Sequence, residues 1–212
     1  MRLNDLTVAA FASTVIALSV SYACAEEFTA HLTGFQELGS LPNVTQNPTT
    51  GVVTAANPTG AILSDATGTL KLDLDEKAGK ATWTLTYSNV GTTPPLTGTV
   101  TQAHIHFGKA RDSGGIMVFF CTNLTPPVGP PTPPKCPLNS TDPTGLTGTF
   151  TKADVVAIAG QNVNAMDFDA LADALNSNTA YANIHTTALP AGEIRGQVHA
   201  VEKDHDHDQN HR

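Results

Sequence analysis

Basic residues are scarce in this sequence. Lys and Arg together number 11 among 212 residues, against 19 Asp and Glu, and the formal net charge at neutral pH is −8. Proteins that bind nucleic acids hold the phosphate backbone with clusters of Lys and Arg. The acidic balance therefore argues against a nucleic acid as a partner.

Long apolar runs are also scarce. The apolar stretch from Leu6 to Val20 is shorter than the roughly 20 residues that a membrane-spanning helix needs. It follows Arg2 and precedes the small residues of Ala23-Cys24-Ala25, which is the pattern of a secretory signal peptide. We therefore predict a signal peptide over residues 1–25 and a secreted or periplasmic mature protein without a membrane span. A retained anchor and lipidation of Cys24 are the alternatives.

Cysteine is a third scarcity, with three residues in the whole chain. Cleavage after residue 25 would leave Cys121 and Cys136, and an even pair in an exported protein predicts a disulfide. The two do not form the C-x-x-C motif of redox proteins, so a structural bond is expected. The prolines between them predict a stiff loop outside any sheet.

Strict alternation of apolar and polar residues is what the sequence does contain. It is clearest in Leu70–Asp75 and Ala81–Tyr87, which read as half-buried strands joined by a hairpin turn at residues 76–80. Their apolar residues should meet a common core together with Ile105, Ile184 and Val198. Further strand candidates are Glu27–Gly34, Leu96–Phe107, Gly115–Phe120, Gly145–Phe150, Ala180–Thr186 and Glu193–Val201.

This pattern predicts an all-β domain, a sandwich or barrel, over residues 26–201. One segment differs, because Phe168, Leu171, Ala172 and Leu175 follow helical spacing behind an acidic start. A single short surface helix is therefore expected near residues 167–176. The tail at residues 202–212 is rich in His and Asp, has no apolar residue, and is expected to be disordered.

Histidines fall on the polar phase of several predicted strands. His104 and His106 share one face of their strand, since alternate residues point the same way, while Ala103 and Ile105 take the core face. The same test turns three more histidines away from the core: His31, His185 and His199. Imidazole is a common ligand of copper and zinc, so these five residues are the candidate ligands of a metal site at the protein surface. Solvent-exposed histidines without a metal are the alternative.

At these histidines the sequence resembles a known family. Residues 103–108, 183–186 and 190–197 resemble the signature blocks of the CHRD domain, found in chordin and in many bacterial secreted proteins, and residues 28–37 resemble its opening strand. The likeness spans roughly residues 27–201. It implies an immunoglobulin-like or related β-barrel fold and, by analogy with chordin, a role in binding other extracellular proteins.

A more distant resemblance concerns the order of the histidines. An H-x-H strand, a later single His and an Arg before the last strand ends occur in the same order in copper,zinc superoxide dismutase, a Greek-key barrel. That likeness implies copper ligands at His104, His106 and His185, with Arg195 guiding an anion to the metal. Residues 107–184 contain no histidine that could build the neighbouring zinc site, so it allows a copper-only site at most.

Three functions remain open at this point. The first is binding of a metal ion, with copper favoured, although zinc and nickel also accept imidazole. The second is binding of an extracellular protein, with histidines that only stabilise the fold, and the third is a copper-only enzyme acting on superoxide. Glu193 and Arg195 lie on one strand face and either support the site or form an ion pair.

Overall fold

The alternating segments form the strands of one antiparallel sheet. The computed structural model describes residues 25–38, 60–93, 98–127, 129–130, 133–137 and 145–202. The predicted signal peptide, apart from residue 25, and the tail from residue 203 lie outside these ranges. The strands are β1 (Glu26–Thr33), β2 (Thr67–Asp75), β3 (Lys80–Ser88), β4 (Val100–Phe107), β5 (Ile116–Thr122), β6 (Leu146–Thr151), β7 (Ala180–Thr186), β8 (Ile194–Gln197) and β9 (His199–Ala200).

The sheet curls into a nearly closed barrel. Its strand order is β5-β4-β7-β8-β1-β2-β3-β6, with β9 paired to β1. Aromatic residues join its two outer strands across the interior, because Phe120 of β5 lies 5.3 Å from Phe150 of β6 between ring centroids. Trp83 of β3 packs against both rings at 4.8 and 5.3 Å. The predicted all-β class, with one short α-helix, is confirmed.

The predicted hairpin is present between β2 and β3. Leu70 pairs with Leu85 and Asp75 with Lys80, so both strands turn the same apolar phase inward. The turn places Gly79 at φ 62°, a left-handed conformation that glycine adopts without a steric penalty. All of the side chains predicted for the core are buried together: Leu70, Leu72, Trp83, Leu85, Ile105, Ile184 and Val198.

The predicted helix is α1 (Phe168–Asn176). Asp167 caps its first turn by accepting a hydrogen bond from the backbone N–H of Ala170, and Phe168, Leu171 and Leu175 are buried against the barrel. Among the described residues no helix is long and apolar enough to cross a bilayer. Within the described ranges the other helical segments are short 3-10 turns at Gly34–Gln36, Lys152–Asp154 and Ala159–Gln161.

A disulfide bond joins β5 to the chain segment that follows it. Cys121, at the end of β5, is bonded to Cys136, as the pair of thiols predicts.

The single strand expected over Glu193–Val201 is instead two strands, β8 and β9. The reason is a change of partner, because Gln197 still pairs with Tyr181 of β7 whereas His199 pairs with Thr29 of β1.

Candidate metal centre

Three neighbouring strands carry polar residues on the face that points away from the core. His104 of β4 lies opposite Asn183 of β7, and His106 lies opposite Tyr181. Asn183 in turn lies opposite Arg195 of β8. Alternation along each strand keeps the apolar residues between them in the barrel interior. The strand register therefore turns the histidine side chains away from the core, as the alternation predicts.

The expectation of a surface cluster is wrong. His104, His106 and His185 are 0%, 8% and 6% exposed. Two loops cover this face of the sheet: the carbonyl of Gly114 contacts His106, and the carbonyl of Pro190 contacts His185. Strand alternation identifies which side chains leave the core, but it carries no information about the loops that then fold over them.

The three imidazoles converge on one point. One ring nitrogen from each of His104, His106 and His185 can be chosen so that all three atoms lie within 4.8 Å of one another. Nitrogens bound to one ion at ~2.0–2.1 Å lie roughly 2.8–4.2 Å apart, depending on the coordination geometry, and the observed limit of 4.8 Å is close to this range. These three side chains can therefore hold a metal ion.

Hydrogen bonds orient two of the three rings. His106 donates from Nδ1 to the Gly114 carbonyl at 2.9 Å, and His185 donates from Nδ1 to the Pro190 carbonyl at 3.0 Å. This arrangement places the proton of each ring on Nδ1 and leaves a lone pair on Nε2. Backbone carbonyls commonly fix the orientation of metal-binding histidines in this way. Nε2 of His106 and both nitrogens of His104 are buried without a hydrogen-bond partner.

Burial also sets the protonation state of the cluster. Loss of solvent lowers the pKa of His106 and of His185 to about 4, and it lowers the pKa of His104 well below its usual value. The neighbouring imidazoles His185 and His106 lower the pKa of His104 further. All three rings are therefore neutral at neutral pH, which is the form that binds metal ions.

The segments that carry these histidines lie within a match to a known protein family. The chain matches the family model of the CHRD domain over residues 28–198, which includes most of β1, all of β2 to β8 and all three clustered histidines. The chain belongs to the CHRD-domain family. Neither a search of curated proteins nor a search of solved structures finds a match.

Arg195 of the CHRD domain is packed against the cluster instead of facing solvent. It is 2% exposed, and its Nη2 donates to the carbonyls of Lys109 and Asp112 at 2.9 and 3.0 Å. Its guanidinium lies 3.4 Å from the ring centroid of Tyr181, and Tyr181 stacks on His106. Arg195 thus ties the loop over the site to the ligand rings.

Glu193 is also buried, at 1% exposed, but it serves other loops of the CHRD domain. Its carboxylate accepts hydrogen bonds from Ser64 Oγ at 2.8 Å and from the backbone N–H of Gly91 at 2.9 Å. Because a buried carboxylate needs such donors, Glu193 holds together two loops at one end of the barrel.

The remaining two candidate ligands lie elsewhere. His31 on β1 and His199 on β9 are exposed and are not part of the three-histidine group. Two further polar side chains, which the sequence did not single out, are buried here: Asn183 and Glu37 are each 3% exposed. The available signal for Asn183 was its position two residues before His185, on the same strand face.

Proposed function

We propose that this CHRD-domain protein is exported and binds a metal ion, copper in particular, through His104, His106 and His185. The observation that carries the proposal is the convergence of three buried, neutral imidazoles, one ring nitrogen of each lying within 4.8 Å of the other two. A buried nitrogen without a partner costs about 1–3 kcal/mol, and His104 has two. A bound metal ion would accept the lone pair of one of them, since the other nitrogen of a neutral imidazole carries the proton.

Copper is favoured by the chemistry of the donors. Divalent first-row metals bind a given nitrogen site in an order of affinity that peaks at Cu(II), ahead of both Ni(II) and Zn(II). The Cys121–Cys136 disulfide supports export, because such bonds persist in oxidising compartments. We do not extend the proposal to superoxide chemistry, since Arg195 is packed under a loop and bound to two carbonyls.

Calorimetric titration with Cu(II) tests the proposal. The full chain is prepared without an affinity tag and with His205, His207 and His211 changed to Ala, so that the tail does not compete for metal. We expect one Cu(II) per chain, bound at least about a hundredfold more tightly than by a His104→Ala/His106→Ala/His185→Ala variant, a difference of ~2.7 kcal/mol. Equal affinities of the two proteins would contradict the proposal.

A matched control uses the histidines that the structure leaves outside the cluster. His31→Ala/His199→Ala removes two exposed imidazoles from the same sheet. We expect this variant to bind Cu(II) like the parent protein. Elemental analysis of untagged protein, purified from cells that export it, then identifies the metal that the protein acquires in vivo.

Binding of another extracellular protein is the second candidate function, and exposed apolar side chains favour it. Phe35 is 68% and Leu63 is 78% exposed. Their segments are joined by a hydrogen bond from the N–H of Ile62 to the carbonyl of Gly34 at 2.7 Å. Capture of extracellular proteins by the parent and by a Phe35→Ser/Leu63→Ser variant tests this role, and equal capture would count against it.

A further inference from the structure

Asn183 occupies the centre of the buried polar face. On β7 it lies between Tyr181 and His185, which share its face, and it pairs across the sheet with His104 on one side and Arg195 on the other. Side chains directly opposite one another in a sheet have Cβ atoms roughly 4.5–5.5 Å apart. The Asn183 amide is therefore within reach of all the candidate ligands, and it is 3% exposed.

The contact between Asn183 and His185 pairs two acceptors. Oδ1 of Asn183 lies 2.9 Å from Nε2 of His185, while Nδ1 of the same ring contacts the Pro190 carbonyl. A neutral imidazole has a single N–H, and the Pro190 carbonyl requires it at Nδ1. Two lone pairs then face each other at Oδ1 and Nε2, an arrangement that a shared cation would stabilise.

The spacing of these two atoms fits a particular coordination geometry. Two ligand atoms at ~2.0–2.1 Å from one metal, and at a right angle to each other, lie roughly 2.8–3.0 Å apart. The observed 2.9 Å between Oδ1 and Nε2 matches adjacent corners of a square-planar or tetragonal site. Nitrogen and oxygen ligands in that geometry are typical of Cu(II).

The opposite end of the amide lies beside Gly192. A Cβ atom at Gly192 would lie 2.9 Å from Nδ2 of Asn183 and 2.4 Å from Oε2 of Glu37, so both atoms crowd the same side of the backbone. A carboxylate on that side favours the NH2 group there. Oδ1 is consequently directed toward the three imidazoles, and the glycine at 192 leaves room for this arrangement.

We propose that Asn183 is the fourth ligand, and that its Oδ1 completes a four-coordinate site that prefers Cu(II) to Zn(II). This inference rests on the proposed function, since it requires a metal at the three histidines. Because zinc favours tetrahedral ligands, whose donor atoms lie farther apart, the close Oδ1 and Nε2 pair disfavours zinc relative to copper.

Substitution of Asn183 in the tail-substituted full chain tests the proposal. We expect Asn183→Ala to weaken Cu(II) binding at least about tenfold, with a smaller effect on Zn(II), and to change the parallel hyperfine splitting in electron paramagnetic resonance. Asn183→Asp keeps an oxygen donor and adds a charge, so it should bind Cu(II) more tightly than the parent. Gln102→Ala, on the same face next to His185, is the matched control and should change the Cu(II) affinity less than twofold.

A measurement on the unsubstituted residue keeps the proposal testable even if these variants fold poorly. The parent protein is labelled with ¹³C at the asparagine side-chain carbonyl, and electron-nuclear double resonance should show a ¹³C coupling to bound Cu(II). Absence of that coupling, or an Asn183→Ala variant with the parent affinity and spectrum, overturns the role of Asn183. Parent protein that binds no better than the triple histidine variant would instead overturn the metal site itself.

Discussion

The ring of Tyr181 lies parallel to the ring of His106, with 2° between the planes and 4.7 Å between the centroids. Arg195 covers the ring of Tyr181, and the Tyr181 hydroxyl accepts a hydrogen bond from the N–H of Gly114 at 3.2 Å. The carbonyl of Gly114 is the group that orients His106. Tyr181 therefore supports one candidate ligand both by stacking and through the loop.

Removal of this ring should loosen His106 without removing a ligand. We expect Tyr181→Leu to weaken Cu(II) binding about tenfold, the range typical of residues that orient a metal ligand. Tyr181→Phe keeps the stack and loses only the hydroxyl, so its effect should be smaller. Calorimetric titration of both variants measures the difference, and a Tyr181→Leu affinity equal to that of the parent would show that the stack does not position His106.

Glu193 should contribute to stability and not to metal binding. Its carboxylate accepts hydrogen bonds from Ser64 and from Gly91, and such charge-assisted bonds contribute about 1.5–3 kcal/mol. Glu193→Gln should therefore lower the free energy of unfolding by an amount of that order, as measured by chemical denaturation. Its Cu(II) affinity should equal that of the parent, and a large loss of affinity would assign Glu193 to the site.

The sequence predicts those parts of this molecule that depend on local periodicity. The core phase of Trp83, Ile105 and Ile184, the hairpin after Asp75 and the helix at Phe168 each follow from spacings of two or of three to four residues. The grouping of His104 and His106 with His185 was also expected, and it requires that β4 and β7 be neighbours.

Sequence periodicity does not predict where the loops lie in the folded protein. The burial of the three histidines depends on the carbonyls of Gly114 and Pro190, which approach from loops without a repeating pattern. The same limitation explains Arg195, whose partners Lys109 and Asp112 are more than eighty residues away along the chain. The exclusion of His31 and His199 depends on strand order, which alternation alone does not specify.

The aromatic group that joins the ends of the sheet should be the most sensitive part of the core. Trp83 touches Phe120 and Phe150, which belong to the first and the last strand of the sheet order. Trp83→Ala should lower the free energy of unfolding by about 3–5 kcal/mol, because it removes a buried ring and leaves a cavity. Thermal unfolding followed by circular dichroism measures the loss. An unchanged midpoint would show that the barrel does not depend on this contact.

The buried histidines should make the metal-free protein sensitive to mild acid. In the unfolded chain a histidine takes up a proton near pH 6.5, whereas in the folded protein the pKa of His106 and of His185 is about 4. As the pH falls from about 6.5 to 4, the unfolded state therefore binds more protons, and the free energy of unfolding decreases. The contribution of each of these two residues is fully present above pH 6.5. It falls by about 2 kcal/mol between pH 7 and pH 5.

His104 acts in the same direction, because its pKa is also lowered. Urea unfolding of chelator-treated protein at pH 7 and at pH 5 measures the effect, with His104→Leu/His106→Leu/His185→Leu as the matched control. Carboxylates titrate in both proteins, so the difference between the two pH dependences isolates the cluster. The parent should lose several kcal/mol more than the control. Equal losses would mean that the three imidazoles are already accessible to protons in the folded state.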